Sequence, residues 1–265
     1  MQPMVEFALR ALRGAQDTYY RMREKIEVAR EDKTLDTLLE DTARFAEAQI
    51  VRSFERGYPL HGISGRFTPY REGTGMGKDF HWKIELQHGY SNLAHSAPGW
   101  AISMTCYVKG RAEHGVLISP FTDEEFVVSR GQGTRFNQHR MRTQPVAQIE
   151  DTRVAMSLPE RWIRARNIEQ YQAVTRALAP QVDMIRSSGC PLLDLADFAA
   201  GRVDFALAFG LDEYDTHLAS LLLKEAGAIV GPLNGSPRIE PETVLMASHQ
   251  RLFPVLVRQF ASIAS

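Results

Sequence analysis

Residues 184–230, MIRSSGCPLLDLADFAAGRVDFALAFGLDEYDTHLASLLLKEAGAIV, alternate strand signals with helix signals. The run VDMIR (182–186) is short and apolar enough for a strand, and LLDLADFAAG (192–201) reads as a helix ending at Gly201. VDFALAFG (203–210) is a buried strand by length and content. Asp215 and Thr216 then offer an N-cap for a helix that runs to Glu225 and stops at Gly227, with AIV as the next strand. Outward from this stretch, RVAMS (153–157) precedes a helix from about Arg166 to Leu178, and VLMAS (244–248) precedes a last helix from Gln250. Strands interleaved with helices are the grammar of βαβ units.

The N-terminal half follows a different pattern. Val5, Ala8, Leu9, Leu12, Ala15, Tyr19 and Met22 recur at three- and four-residue steps, the stripe of an amphipathic helix with Pro3 in its first turn. After a charged break, Leu38, Leu39, Thr42, Phe45, Ala46, Gln49, Ile50 and Phe54 repeat that period from about Thr34 until Gly57 and Pro59 stop it. Gly62 to Lys78, rich in Gly and polar residues, reads as a loop. From Trp100 to Arg130 three apolar runs, punctuated by Lys109-Gly110 and by Pro120 to Asp123, predict an antiparallel meander. The fold class expected is mixed α/β, in one domain over residues 1–265, because no Gly/Ser/Pro-rich linker interrupts the chain.

The 265 residues carry 31 Lys+Arg against 32 Asp+Glu, a net charge of -1, which excludes bulk nucleic-acid or membrane attraction as a default. Two cysteines, Cys106 and Cys190, are too few for a disulfide framework. The N-terminus mixes charged residues through its apolar positions, unlike a signal peptide or membrane span, so a cytoplasmic protein is expected.

The quoted stretch resembles the C-terminal signature of the inositol monophosphatase family in the spacing of its GR.D turn, its GL element, the acidic residue before the helix and the EAG stop. HWKIELQHGYSNLAHSAPGWAISM (81–104) occupies the slot of the family's metal-binding W.IDP.DGT motif. The opening MQPMVEFALRALR and the hairpin sequence RGQGTRFNQHRMR (130–142) are most similar to the SuhB branch of bacterial members. The resemblance spans essentially the whole chain and implies a layered α/β/α/β/α sandwich.

It also implies magnesium-dependent phosphate-monoester hydrolysis, in which clustered carboxylates hold the metal. Several of those slots are altered. The aspartate slot of the second helix holds Ala43, with Glu47 retained four residues on; the first glutamate after the Tyr58-Pro59-Leu60-His61 turn is Arg66, followed by Phe67. In the central motif the two aspartates become Glu85 and His88, and the last aspartate is kept as Asp215 behind Tyr214. Of these five degenerate metal and catalytic slots (Ala43, Arg66, Glu85, His88, Asp215), two hold carboxylates. Arg66 is expected to pair with Glu85 or Asp215, with a contact term of roughly 4 kcal/mol at intermediate dielectric. At the rim that accepts the sugar ring, Cys190, Pro191 and Leu192 replace small residues, and Ala208 replaces a substrate-contacting glutamate.

No catalytic residue is therefore expected to be active, and no metal or cofactor is expected. The function expected is regulatory or scaffolding, through protein contacts, as a homodimer packed on the meander. Its unknown partner would lie in the transcription or RNA machinery, where the SuhB branch takes part in antitermination. The alternative is an active magnesium-dependent phosphatase on inositol phosphate or another small phosphorylated metabolite, using Glu85, Asp215 and His88. His81, His88 and His95, spaced by seven, are not expected to converge on a metal. Arg130, Arg135, His139, Arg140 and Arg142, around Phe136, form a basic run suited to RNA or an acidic protein patch.

Overall fold

The computed structural model describes residues 2–158, 161, 164–240 and 243–263. The chain divides into two compact units, Met1–Arg130 and Gly131–Ser265. Among the described residues, no helix is long and apolar enough to cross a membrane.

The first unit begins with helices α1 (Pro3–Arg23), α2 (Ile26–Glu31) and α3 (Leu35–Gly57). α1 and α3 follow the apolar stripes of the sequence, except that Phe45 of the α3 stripe is 50% exposed. α2 occupies what the sequence presents as a charged break: only Ile26 and Ala29 are buried, a signal too short to show as a period. Strands β1 (Gly62–Ser64), β2 (Phe80–His88), β3 (Ala101–Val108), β4 (Arg111–Ser119) and β5 (Glu124–Ser129) lie in that order, and the short helix α4 (Tyr90–Ala94) follows β2. β1 pairs parallel with β2; the remaining pairings are antiparallel.

Trp82 and Ile84 of β2, Met104 of β3 and Val116 of β4 share a core with Leu12 and Tyr19 of α1 and Leu39, Ile50 and Phe54 of α3. Tyr19 also donates its hydroxyl to the Leu86 carbonyl at 2.9 Å, and its ring centroid lies 4.9 Å from that of Trp100. Gly62–Lys78 is not a plain loop. Gly62–Ser64 forms β1, and Ile63 and Arg71 exchange backbone hydrogen bonds at 3.1 Å. β3 is buried over Ala101–Tyr107, on both of its faces, so the meander presents little free apolar surface for the expected dimer contact.

The second unit opens with the hairpin of β6 (Gly133–Phe136) and β7 (His139–Arg140). Its sheet is ordered β11 (Ile229–Gly231), β12 (Leu245–Ser248), β10 (Phe205–Ala208), β8 (Arg153–Met156), β9 (Met184–Arg186). β8 pairs parallel with both β9 and β10, as the alternating pattern implies, whereas β12 runs antiparallel to β10 and β11. Helices α5 (Arg164–Leu178) and α8 (Phe253–Gln259) place Val174, Leu178 and Leu256 against Val154, Met156, Phe205 and Leu207. α6 (Pro191–Ala199), buried at all nine positions, packs on β10 and on α7 (Glu213–Glu225).

Candidate functional site

Of the predicted site residues, Ala43, Arg66, Glu85 and His88 belong to the first unit; Cys190, Pro191, Leu192, Ala208 and Asp215 belong to the second. Ala43 and Glu47 lie one turn apart on α3, on one helix face, and both are buried at 1% and 2% exposure. The Glu47 carboxylate accepts two backbone hydrogen bonds at 3.0 Å, from the Arg66 amide at Oε2 and from the Phe67 amide at Oε1. A buried anion is tolerated where charge-assisted hydrogen bonds replace its hydration. Gly65 permits this approach, since a Cβ there would stand 2.4 Å from the Glu47 carboxyl carbon.

Arg66 does not pair with Glu85. Its Nη1 donates to Oε1 of Gln87 at 2.7 Å, and its guanidinium lies 5.3 Å from the Phe67 ring centroid. Gln87 in turn donates to the Leu39 carbonyl at 3.3 Å. The neutral amide wins because Arg66 is exposed and Gln87 is fixed at the end of β2, where an ion pair has little desolvation to exploit. Arg44 stands over the same Phe67 ring at 4.4 Å, so this aromatic carries two cations.

At the end of β2, Glu85 stands opposite Ser103 of β3, and the register shifts between Glu85 and His88. That irregularity lets His88 Nε2 reach the Ser103 hydroxyl at 2.9 Å. Next in sequence, Gly89 turns the chain at φ 74, and the Tyr90 hydroxyl donates to Asp36 at 2.5 Å. Burial first, and the Asp36 carboxylate second, push the Tyr90 phenol up to about 12. The three evenly spaced histidines serve separate partners: His81 Nε2 bonds the Ser64 hydroxyl at 2.8 Å, His88 bonds Ser103, and His95 Nδ1 bonds the Ser91 carbonyl at 2.8 Å. Burial, aided by the Lys83 charge, holds His81 below its ordinary value.

In the second unit, Asp212 rather than Asp215 caps α7: its carboxylate accepts the Asp215 amide at 2.8 Å, which places Asp215 in the first helical turn. The positions matched to the family's rim, 190–192 and 208, are buried within the second unit. Cys190 is 1% exposed and Leu192 2%, Pro191 is buried as well, and Ala208 is fully enclosed in β10. The apolar sequence CPLL places these side chains in the core rather than toward a ligand.

A buried polar cluster takes that place. Asp194, on α6, accepts the Ser188 amide at 3.1 Å and the Ser157 hydroxyl, while the Gly189 amide donates to Ser157 at 2.9 Å. Burial raises the Asp194 carboxyl to about 6, against the lowering effect of these bonds. Sequence reasoning missed Asp194. Its signal was a carboxylate in the middle of PLLDLADF, where every neighbouring apolar residue points inward.

The sequence model of the Inositol monophosphatase family matches residues 1–265. The chain is 35% identical over 258 residues to the Nus factor SuhB of Pseudomonas aeruginosa, covering 97% of this chain and 95% of that protein. It is 31% identical over 239 residues to the Nus factor SuhB of Escherichia coli strain K12, covering 89% and 87%. Among solved structures, extragenic suppressor protein suhB from Bartonella henselae matches with a TM-score of 0.81 at 23% identity, over 98% of this chain and 100% of that one. An inositol monophosphatase from Anabaena (Nostoc) sp. PCC 7120 matches with a TM-score of 0.79 at 22% identity, over 98% and 95%. The mixed α/β architecture is thus the inositol monophosphatase fold, and the chain belongs to the inositol monophosphatase family.

Proposed function

We propose that this chain is a catalytically degenerate member of its family that acts in the cytoplasm as a regulatory or scaffolding protein, through contacts with the transcription machinery. The relatives at 35% and 31% identity are named Nus factors, which supports that class of partner. A homodimer is part of the proposal.

The observation that carries the loss of catalysis is the Glu47 turn. Magnesium takes hard oxygen ligands in near-octahedral array. Glu47 commits both oxygens to the Arg66 and Phe67 amides, Ala43 supplies no ligand, and a guanidinium stands at position 66. Positions 43 and 66 thus give the family's metal no ligand, which supports the proposal.

Purified protein should release no phosphate from inositol 1-phosphate above blank in millimolar magnesium. Turnover near about 1 per second, the low end of ordinary enzymes, would overturn the proposal in favour of the active phosphatase. A melting midpoint raised by several degrees on adding magnesium would do the same, since a ligand that binds only the folded state stabilises it by mass action.

A further inference from the structure

The hairpin β6–β7 carries a feature that its fold does not need. Arg135 and Arg140 stand directly opposite each other across the two strands. Like charges so placed destabilise a hairpin. The Met141 amide donates to the Thr134 carbonyl at 2.9 Å, so pairing continues one residue further and brings Arg142 opposite Gly133. Because strand side chains alternate between faces, Arg135, Arg140 and Arg142 share one face with Gly133. All three arginines are exposed, and among the described residues none of them makes an ion pair.

The other face is committed to the second unit. Thr134 is fully buried and donates its hydroxyl to the Leu222 carbonyl at 2.5 Å, and Arg202 lies 4.9 Å from the Phe136 ring centroid. The base of the hairpin is fastened to α7 by Glu225, which accepts the Gly131 amide at 2.8 Å and the Gly133 amide at 3.0 Å. Gly133, at φ 83, leaves room for the Arg140 guanidinium to lie across it, at 3.1 Å from where a Cβ would be. Asn137 and Gln138 close the turn at φ 43 and 71, the left-handed pair of a tight two-residue hairpin. The arginines are therefore mounted on a rigid support.

We infer that this face binds the phosphate backbone of single-stranded RNA. Three guanidinium groups on one plane suit phosphates, which arginine grips with paired donors. An acidic protein would fit less well, because a stable protein interface needs an apolar centre and the large apolar residues here, Phe136 and Met141, alternate onto the opposite face. A stiff duplex would lay its charge along a chain whose net charge is -1, whereas a flexible strand can follow a patch of three residues. The choice of RNA over single-stranded DNA rests on the transcription role proposed above. Comparing uridine and deoxyuridine oligonucleotides of one length separates the two: equal binding of both strands keeps the phosphate-binding face while removing the support from the transcription role, whereas binding of neither removes the face alone.

The test is fluorescence anisotropy with a labelled uridine oligonucleotide of about 20 residues, titrated at several salt concentrations. Neutralising about three phosphates predicts a slope of log affinity against log salt near about -2, or roughly 20-fold weaker binding between 50 and 200 mM. Arg135→Glu, Arg140→Glu and Arg142→Glu together should weaken binding at least tenfold at low salt. Each single Arg→Ala should lower the slope by about 0.7. The single Arg135→Ala should not lower the melting midpoint, because it relieves the cross-strand repulsion. Three outcomes would overturn the inference: unchanged binding by the triple variant, equal or tighter binding of duplex DNA, or capture of a polyglutamate peptide without RNA binding. The last would assign the face to an acidic protein.

Discussion

Glu47 and Arg66 meet at one turn but contribute very differently to its stability. Glu47, 2% exposed, holds a turn: removing its carboxylate leaves the Arg66 and Phe67 amides without their acceptor. Glu47→Ala should cost about 3 kcal/mol, two charge-assisted bonds less partial hydration, read as a lower urea midpoint at unchanged slope. Glu47→Gln, which keeps one acceptor oxygen, should fall between the two. Gly65→Ala should be damaging on its own, since its Cβ would collide with that carboxylate. Arg66→Ala, by contrast, removes a bond between an exposed guanidinium and a neutral amide, and should change stability by less than about 1 kcal/mol. A loss of several kcal/mol on Arg66→Ala would restore the buried ion pair that the sequence led one to expect.

At the scale of an element, α6 depends on Asp194. Its folded carboxyl is raised to about 6 from 3.8. The folded state therefore binds more protons than the unfolded chain between about pH 4 and 6, and stability from this group falls as pH rises through that window. It is fully present below the unfolded value and lost above the folded one. The difference in unfolding free energy between the native chain and Asp194→Asn should decline by something of the order of 3 kcal/mol from pH 4 to pH 7. A flat difference would show that Ser157 and Ser188 fully offset the burial. α7 offers a simpler case: Asp212→Ala removes the cap that accepts the Asp215 amide, at a cost of about 1 kcal/mol.

At the scale of the whole molecule, the proposed loss of catalysis makes no demand on the fold. The cores hold large apolar residues, among them Trp82, Trp100, Phe54, Phe205 and Phe260, all fully buried, while positions 43 and 66 carry Ala and Arg. A protein used for its surface needs that arrangement. Light scattering should give about twice the 29.9 kDa chain mass for the proposed homodimer. A monomer at micromolar concentration would remove the dimer from the proposal. Because Ala101–Tyr107 of β3 is already enclosed, substitutions on its side chains should affect folding rather than association.

The sequence by itself determined α1, α3, the meander strands and the strand–helix alternation after Arg153, though not the short α2, β1 and α4, because hydrophobic period and Gly or Pro stops act over a few residues and need several of them to show. The stripe from Val5 to Met22, the three meander strands and the alternation from Arg153 to Glu225 are all local signals. It also carried the family resemblance against which positions 43, 66, 85, 88 and 215 are read. What only the tertiary structure decided were the partners. That Arg66 meets Gln87 instead of Glu85, and that Asp212 rather than Asp215 caps α7, turns on ångström-scale approach of side chains. Cys190 and Pro191 became core for the same reason: whether a short apolar run lines a rim or fills an interior depends on what packs against it. The arginine face required cross-strand register as well, because a one-residue shift would have sent the same three side chains to the other face.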